Sequence, residues 1–336
     1  MPPKIDSRPS RPRTLQRYRV EQFAKPRTFA MAGLLIAPFL ALVLCVSLLT
    51  SIVRVPSMPL FTQPGVSSAT APRPPLIAAT TAFLEDAGTG QVLYDRGAND
   101  ERAMASTTKV MTALLAAERG NLDATITIGA DAAAMVRPQS SNMGLKAGEQ
   151  LTLRELLYGL LLPSGNDAAV AIADSISGSQ AAFVALMNQR AQELGMTHTH
   201  YMNPHGLDDV GHYTSAHDLV TVSVAAVQHP ELVAIMSTLA YTIPATATHA
   251  EHKLATGNDL LPGAGSAYPG VIGVKPGYTG AAGFTMAFAA KRDGHLIVGA
   301  VMNDPSWQVR IGDMRALLDW GFTRLGIPAA GPDPKY

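Results

Sequence analysis

Cysteine is all but missing from these 336 residues, and the one present, Cys45, sits in an uncharged apolar stretch near the N-terminus. Everything beyond it can form no disulfide, supply no thiol nucleophile and build no cysteine metal site. The core must hold the fold without covalent help. No internal repeat is visible, which excludes a solenoid or propeller. Net charge is missing too, because 26 basic residues balance 26 acidic ones. The balance hides an asymmetry. Before residue 28 stand Lys4, Arg8, Arg11, Arg13, Arg17, Arg19, Lys25 and Arg27, opposed only by Asp6 and Glu21. From residue 56 onward, 17 basic residues (26 less those eight and Arg54) face 24 acidic ones (26 less two), a net of −7.

A basic head of this kind suits nucleic acid or the inner face of a membrane. The next segment decides for membrane and against nucleic acid. Residues Ala30 to Val53, AMAGLLIAPFLALVLCVSLLTSIV, form 24 uncharged positions. As a helix they would cross a hydrocarbon core of roughly 30 Å. Pro38 would kink such a helix, which membrane spans tolerate. The stretch exceeds the roughly 15 residues of a signal-peptide apolar region, and no small-residue cleavage pattern directly follows. The reading is therefore a cytoplasmic basic segment over 1–28, an uncleaved single-pass anchor over 29–53, and the remainder outside the cell membrane. Residues 54–77, rich in Pro, Ser and Thr, read as an extended tether. A folded domain over 78–325 and a tail over 326–336 complete the chain.

Within the domain, the first pattern is a strand pair around Gly88-Thr89-Gly90. A helix starts at Ser106, carries Val110, Met111, Ala113, Leu114 and Leu115 on its apolar side, and ends at Gly120-Asn121. LTLRELLYGLLL, DAAVAIADSI, SQAAFVALMNQRAQELG and SAHDLVTVSVAAVQH read as further helices, the last stopped by Pro230. After Gly270 the pattern becomes strands, VIGVKPGYT, GFTMAFAAKR and HLIVGAVMN, with Asp293-Gly294 turning between the last two. RIGDMRALLDWGFTRLG closes the chain as a helix. The fold class is α+β: an antiparallel sheet built from both chain ends, flanked by helices, with a helical insert as a second lobe. A cleft between the lobes is the default site.

Three short polar motifs carry chemistry. In Ser106-Thr107-Thr108-Lys109 the outer residues lie three apart at a helix start and share one face. A serine hydroxyl is a poor nucleophile until a base takes its proton, and a lysine can be that base if burial and a nearby cation lower its pKa. Ser106 would otherwise be a plain helix cap. Ser164-Gly165-Asn166 falls in a loop between helices. Its hydroxyl could relay a proton to a leaving amine and its amide could bind a carbonyl, or it is ordinary turn chemistry. Lys275-Pro276-Gly277 lies on a strand. Lys275 adds a second cation that keeps Lys109 neutral and attracts a carboxylate, while Gly277 permits close backbone approach. The bland alternative is an edge-strand bulge. Together the motifs supply most of what acyl transfer through a covalent serine ester needs. His198, His200, His249 and His252 lack the HExxH spacing, so no metal and no cofactor is implied.

Further segments agree with these motifs. They are Ala105 to Thr112, Ser140 to Glu149, Leu151 to Ala169, Asn203 to Leu207 and Tyr213 to Ala216. With them the chain resembles the penicillin-recognising serine enzymes, and within these the low-molecular-mass D-alanyl-D-alanine carboxypeptidases of peptidoglycan metabolism. The resemblance spans roughly residues 78 to 325 and implies a β-lactamase/transpeptidase-like fold. It implies Ser106 as nucleophile, Lys109 as its base, and Ser164 and Asn166 as proton shuttle and substrate clamp. It places Lys275 on the terminal carboxylate, Gly277 beside it, and an oxyanion hole at the backbone N–H groups of Ser106 and Tyr278. The implied partners are a stem peptide ending in D-Ala-D-Ala and β-lactam antibiotics as covalent inhibitors. Two departures stand out. Pro276 replaces the family's Thr or Ser, and Thr279, on Lys275's face by alternation, is expected to substitute in part. The chain also ends at Tyr336, before any extra β-domain or amphipathic tail, so the N-terminal span is expected to take over anchoring. Other outcomes on the same fold are a D,D-endopeptidase and a non-catalytic peptidoglycan-binding or sensing relative. A β-lactamase is disfavoured by Gly165 and by the lack of a Glu-x-x-Leu-Asn segment.

Overall fold

The computed structural model describes residues 73–331. The basic segment, the apolar span, most of the tether and the last five residues lie outside the described residues. In chain order the elements are β1 (Thr81–Asp86), β2 (Gln91–Arg96), a single 3-10 turn (Ala105–Thr108) running into α1 (Lys109–Arg119), β3 (Thr125–Thr127), α2 (Ala130–Ala133), β4 (Gln150–Thr152), α3 (Leu153–Leu161), α4 (Asn166–Ser177), α5 (Gln180–Glu193), α6 (Ala216–Val227), α7 (Pro230–Met236), β5 (Ala240–Ile243), β6 (His252–Ala255), β7 (Val271–Thr279), β8 (Gly283–Arg292), β9 (His295–Asp304) and α8 (Trp307–Arg324).

Five strands form one sheet in the order β2-β1-β9-β8-β7, antiparallel throughout. Its strands come from both ends of the domain, as expected from the sequence. The period of two along each strand decides which side chain faces which layer. On β8, Ala287 and Ala289 face the helical lobe while Met286, Phe288 and Ala290 face α8. On β9, Val298, Ala300 and Met302 join the first core, Ile297 and Val301 the second. Gly299 has no side chain because a Cβ there would meet Phe288 and Leu84. The result is three layers: α8, the sheet, and a lobe of α1 and α3 to α7.

Helix α1 is buried over its first eight residues, Lys109 included. A helix with buried residues all round belongs inside a lobe rather than on its surface. Local sequence fixes several starts. Thr152 and Glu155 make a reciprocal capping box for α3, and Ser179, Ser215 and Ser306 cap α5, α6 and α8. Such caps satisfy N–H groups that have no partner within the helix.

Three expectations need correction. Pro230 does not merely stop α6; it opens α7 at the first helical position, where its missing N–H costs nothing. The apolar run read as one helix from Leu151 begins as strand β4, paired with β3. The folded unit also starts before residue 78. Ile77 is buried, its carbonyl accepts from Arg96 Nη1 at 2.5 Å, and the Pro75 carbonyl accepts from the Tyr94 hydroxyl.

Candidate active site

The nucleophile turn, the start of α4 and strand β7 converge where the two lobes meet. Ser106 lies in the 3-10 turn and Lys109 at the first position of α1. That geometry sets Lys109 Nζ 3.0 Å from Ser106 Oγ. Nζ also donates to Asn166 Oδ1 at 2.7 Å and to the His205 carbonyl at 2.5 Å. Both of these partners can only accept. A neutral amine has two N–H bonds and one lone pair, so once the carbonyl and amide oxygens take the two hydrogens, the lone pair is left for the Ser106 hydroxyl.

The electrostatics favour that neutral form. Lys109 is wholly buried, and its pKa is held well below the usual lysine value, first by burial and then by the charge of Lys275; Asp167 pulls weakly the other way. Lys275 is also wholly buried, pushed down to about 7 by burial and then by Arg310.

Asn166 is clamped at both ends of its amide. Oδ1 faces Lys109 while Nδ2 donates to Ser140 Oγ at 3.0 Å, and the Asn166 N–H donates to the Ser141 carbonyl. The segment 140–145 is itself shaped by Asp167, whose buried carboxylate accepts from the N–H groups of Met143, Gly144 and Leu145. Ser164 lines the cleft with its backbone in the left-handed region, φ 66°, and its Oγ buried without a hydrogen-bond partner. A serine held in that conformation is strained, and such strain concentrates at functional positions.

Strand β7 presses directly on the nucleophile turn. A Cβ at Gly277 would meet the Ser106 N–H nitrogen at 2.9 Å and Thr285 Oγ1 at 2.9 Å. Glycine is therefore required here for close backbone approach. The loop after Asn203 packs on the other side. A Cβ at Gly206 would overlap the Ala105 carbonyl, and Thr112 Oγ1 donates to the Pro204 carbonyl at 2.7 Å.

Two cavities share Ser106. One of about 460 Å³ runs past Lys275, Pro276 and Trp307 to Arg310. The other, about 270 Å³, runs past Asn166 and Ser140 to Arg137 and Thr279. A larger recess of about 760 Å³ between α2 and α4 shares no residue with either and holds none of the three motifs.

The sequence motifs are thus brought together: Ser106, Ser164, Lys275, Gly277 and Tyr278 line the first cavity, and Asn166 and Thr279 the second. Thr279 is placed differently from expectation. Its hydroxyl donates to Asp208 Oδ1 at 2.7 Å and accepts from the Ala282 N–H. It lines the cavity on the Asn166 side rather than the one that Pro276 lines.

Sequence reasoning gave no role to three contributors, although His205 and His212 were expected near the cleft. Arg310, on α8, is buried, donates to the Thr285 carbonyl, and has an Nε without a hydrogen-bond partner. Beside it the Asp304 carboxyl is pushed up to about 8, by burial and then by Asp313. Below that value Asp304 is neutral, so the Arg310 charge stays available to a ligand. His205 contributes its backbone carbonyl, which no motif records. His212 Nδ1 accepts from the Met202 N–H, so its Nε2 carries the hydrogen and donates to Thr108 Oγ1 at 2.9 Å, bracing the nucleophile turn. Burial lowers its pKa to about 4 and keeps it neutral. His249 and His252 are buried, and His252 Nδ1 bonds the Met143 carbonyl. Among the described residues no three His, Cys, Asp or Glu side chains group as a metal site.

Comparison with known proteins agrees with this geometry. Residues 68–306 match the family model described as D-alanyl-D-alanine carboxypeptidase. A D-alanyl-D-alanine carboxypeptidase of Streptomyces sp. strain K15 is 37% identical over 271 residues, covering 77% of this chain and 92% of that protein. The Bacillus subtilis D-alanyl-D-alanine carboxypeptidase DacF is 34% identical over 251 residues, covering 73% of this chain and 62% of that protein. The crystal structure of the Streptomyces K15 DD-transpeptidase superposes with a TM-score of 0.70 at 34% identity, over 75% of this chain and 99% of the other. The chain belongs to the D-alanyl-D-alanine carboxypeptidase family.

Proposed function

We propose that this protein is a serine D-alanyl-D-alanine carboxypeptidase that removes the terminal D-Ala of peptidoglycan stem peptides through an acyl-enzyme on Ser106. The observation that carries the reading is the buried Lys109 amine, its pKa held well below the usual lysine value, with Nζ 3.0 Å from Ser106 Oγ. Lys109 takes the hydroxyl proton as Oγ bonds to the penultimate D-Ala carbonyl carbon. The oxyanion that forms is stabilised by the N–H groups of Ser106 and Tyr278. The proton passes to the amide nitrogen, by way of the unpartnered Ser164 hydroxyl, as the C–N bond breaks and D-Ala leaves. Water, deprotonated by Lys109, then attacks the ester and restores Ser106. Asn166 holds the substrate amide, and Lys275 with Arg310 holds the terminal carboxylate. A β-lactam presents an amide to the same hydroxyl and acylates it.

Pro276 removes a hydroxyl from the carboxylate grip and deletes an N–H from strand β7. One charge-assisted hydrogen bond contributes about 1.5–3 kcal/mol, so the two cations carry what remains. The domain sits outside the cell membrane, tethered through residues 29–53; the uncharged span and the basic residues before it support this orientation.

The test is D-alanine release from an acyl-D-Ala-D-Ala peptide, beside Ser106→Ala. Release that disappears in the variant is expected; release that persists removes Ser106 as nucleophile. A second reading, transfer of the acyl group to an amine, is favoured by the likeness to the K15 DD-transpeptidase. Adding glycylglycine during turnover separates the two: a new transfer product at the expense of hydrolysis supports transpeptidation.

A further inference from the structure

The loop from Asn203 to Asp208 touches the site at two places. Its His205 carbonyl accepts from Lys109 Nζ. Three residues on, Asp208 Oδ1 accepts from the Thr279 hydroxyl at 2.7 Å. Thr279 ends strand β7 and directly follows Tyr278, whose N–H is the second oxyanion donor of the proposed reaction. The stretch between the two contacts is braced from within. Asn203 Oδ1 accepts from the N–H groups of His205 and Gly206, and Asn203 Nδ2 donates to the Leu207 carbonyl at 2.9 Å. His205 Nδ1 accepts from the Leu207 N–H. Gly206, at φ 91°, lies against the Ala105 carbonyl, where a Cβ would overlap it. The exposed Asp208 carboxylate is thus carried on an arm seated on the nucleophile turn.

Strand β7 has use for such a brace. It is the last strand of the sheet among the described residues, so strand pairing holds it from β8 alone. Pro276, three residues before Thr279, has no N–H to give to any partner. The Thr279 hydroxyl is used twice: it donates to Asp208 and accepts from the Ala282 N–H at 3.0 Å in the turn into β8. Oxyanion stabilisation depends on donors held in place before charge develops. One donor belongs to the nucleophile turn and the other to β7, so their separation must be fixed across two elements. We infer that Asp208, through Thr279, is a positioning residue for the oxyanion hole, tying the Tyr278 N–H to the frame that carries Ser106 and Lys109. Asp208 lines neither of the two cavities that share Ser106, which separates this role from substrate binding. The inference rests on the carboxypeptidase reading and adds a residue to its machinery.

The full-length protein in detergent is assayed for D-alanine release from an acyl-D-Ala-D-Ala peptide and for binding of an acyl-D-alanine boronic acid. The Ser106 hydroxyl adds to boron as its proton passes to Lys109, leaving a tetrahedral anion that uses the oxyanion hole. Losing an oxyanion donor outright costs roughly a hundredfold or more in kcat, and a donor left to drift costs less. Asp208→Ala should lower kcat by about tenfold, weaken the boronate by a similar factor, and leave KM and Tm close to wild type. Thr279→Val, which also frees the Ala282 N–H, should lose at least as much, and adding Asp208→Ala to it should lose nothing further. Asp208→Asn and Thr279→Ser, which keep an acceptor and a donor, should recover most of the loss. Should Asp208→Ala fail to fold, the contrast between Thr279→Val and Thr279→Ser carries the same test. A structural contact alone would move Tm and spare the boronate; a substrate contact would move KM. Wild-type kcat and boronate affinity in Asp208→Ala, or a loss confined to KM, overturns the inference and leaves the carboxypeptidase reading intact. A folded wild type that neither releases D-alanine nor binds the boronate overturns both.

Discussion

Lys109 and Lys275 are both wholly buried, yet the proposed reaction asks opposite things of them. Lys109 must be neutral to take a proton, and Lys275 must be charged to hold a carboxylate. The charge on Lys275 is one of the two causes that keep Lys109 neutral. Replacing it by an apolar residue of similar length removes that repulsion and makes Lys109 easier to protonate. Lys275→Met should therefore move the acidic limb of the rate profile to higher pH. Acylation by a small neutral ester, which needs no carboxylate grip, checks this; an acidic limb that does not move would sink it. Linkage adds a second expectation. The folded pKa of Lys275, about 7, lies below its unfolded value, so the unfolded chain binds more protons from there up to about 10.5. A lysine depressed by folding costs stability at low pH, and the cost is relieved as pH rises through that window. Wild type should gain stability relative to Lys275→Met between pH 7 and pH 10 in urea unfolding. At Pro276 the expected gain is in binding. Pro276→Thr returns a hydroxyl and an N–H, and the KM for a D-Ala-D-Ala peptide should fall about tenfold, while the rate of the neutral ester stays put.

Among the elements, the segment 140–145 and helix α4 act as one piece. Asp167 gathers three consecutive N–H groups of that segment, and Ser140 and Ser141 in turn fix Asn166. Asp167→Asn would turn an amide nitrogen toward N–H groups and leave donors facing donors. Loss of a charged acceptor with several bonds should cost about 2–4 kcal/mol in urea unfolding, and D-alanine release should fall with it. Much of this framework was legible in the sequence, and the reason differs by element. Strand β7 announced itself over Val271–Thr279 because its apolar residues gave way to glycine and loop at both ends. The β8–β9 hairpin was legible from Asp293-Gly294, both at positive φ in the turn. The pairs β3–β4 and β5–β6 were not, since three or four residues carry too little alternation to read. At the site, Ser106 and Lys109 were readable because they are three apart on one turn. Asn166 reaches Lys109 from 57 residues away, and only the family pattern links them. The His205 carbonyl is backbone, which leaves no trace in residue type. Arg310 was hidden because a single arginine in a helix has no signature until the helix is packed.

The whole domain is closed by its two ends. Strand β1 pairs with β9, and Asp313 on α8 accepts from the N–H groups of Ala78 and Ala79 at 2.6 and 2.7 Å. The chain therefore enters the fold at a fixed point. The charge distribution bears on what the tether does. From residue 56 onward the net charge is −7 (17 basic against 24 acidic residues), the wrong sign for adsorption to an anionic lipid surface. Attachment, if it rests on the apolar span, should then be indifferent to salt and sensitive to detergent, because burial of a spanning helix is hydrophobic and an adsorbed domain is electrostatic. In membranes from cells expressing the full chain, the protein should stay in the pellet through a 1 M salt wash and leave it in detergent. A chain beginning at residue 73 keeps Pro75, Ile77 and the Asp313 clamp. It should appear in the soluble fraction with its D-alanine release intact. Release of the full chain by salt alone, or sedimentation of the shortened chain, would show that the domain itself binds the membrane and that the span is not the anchor.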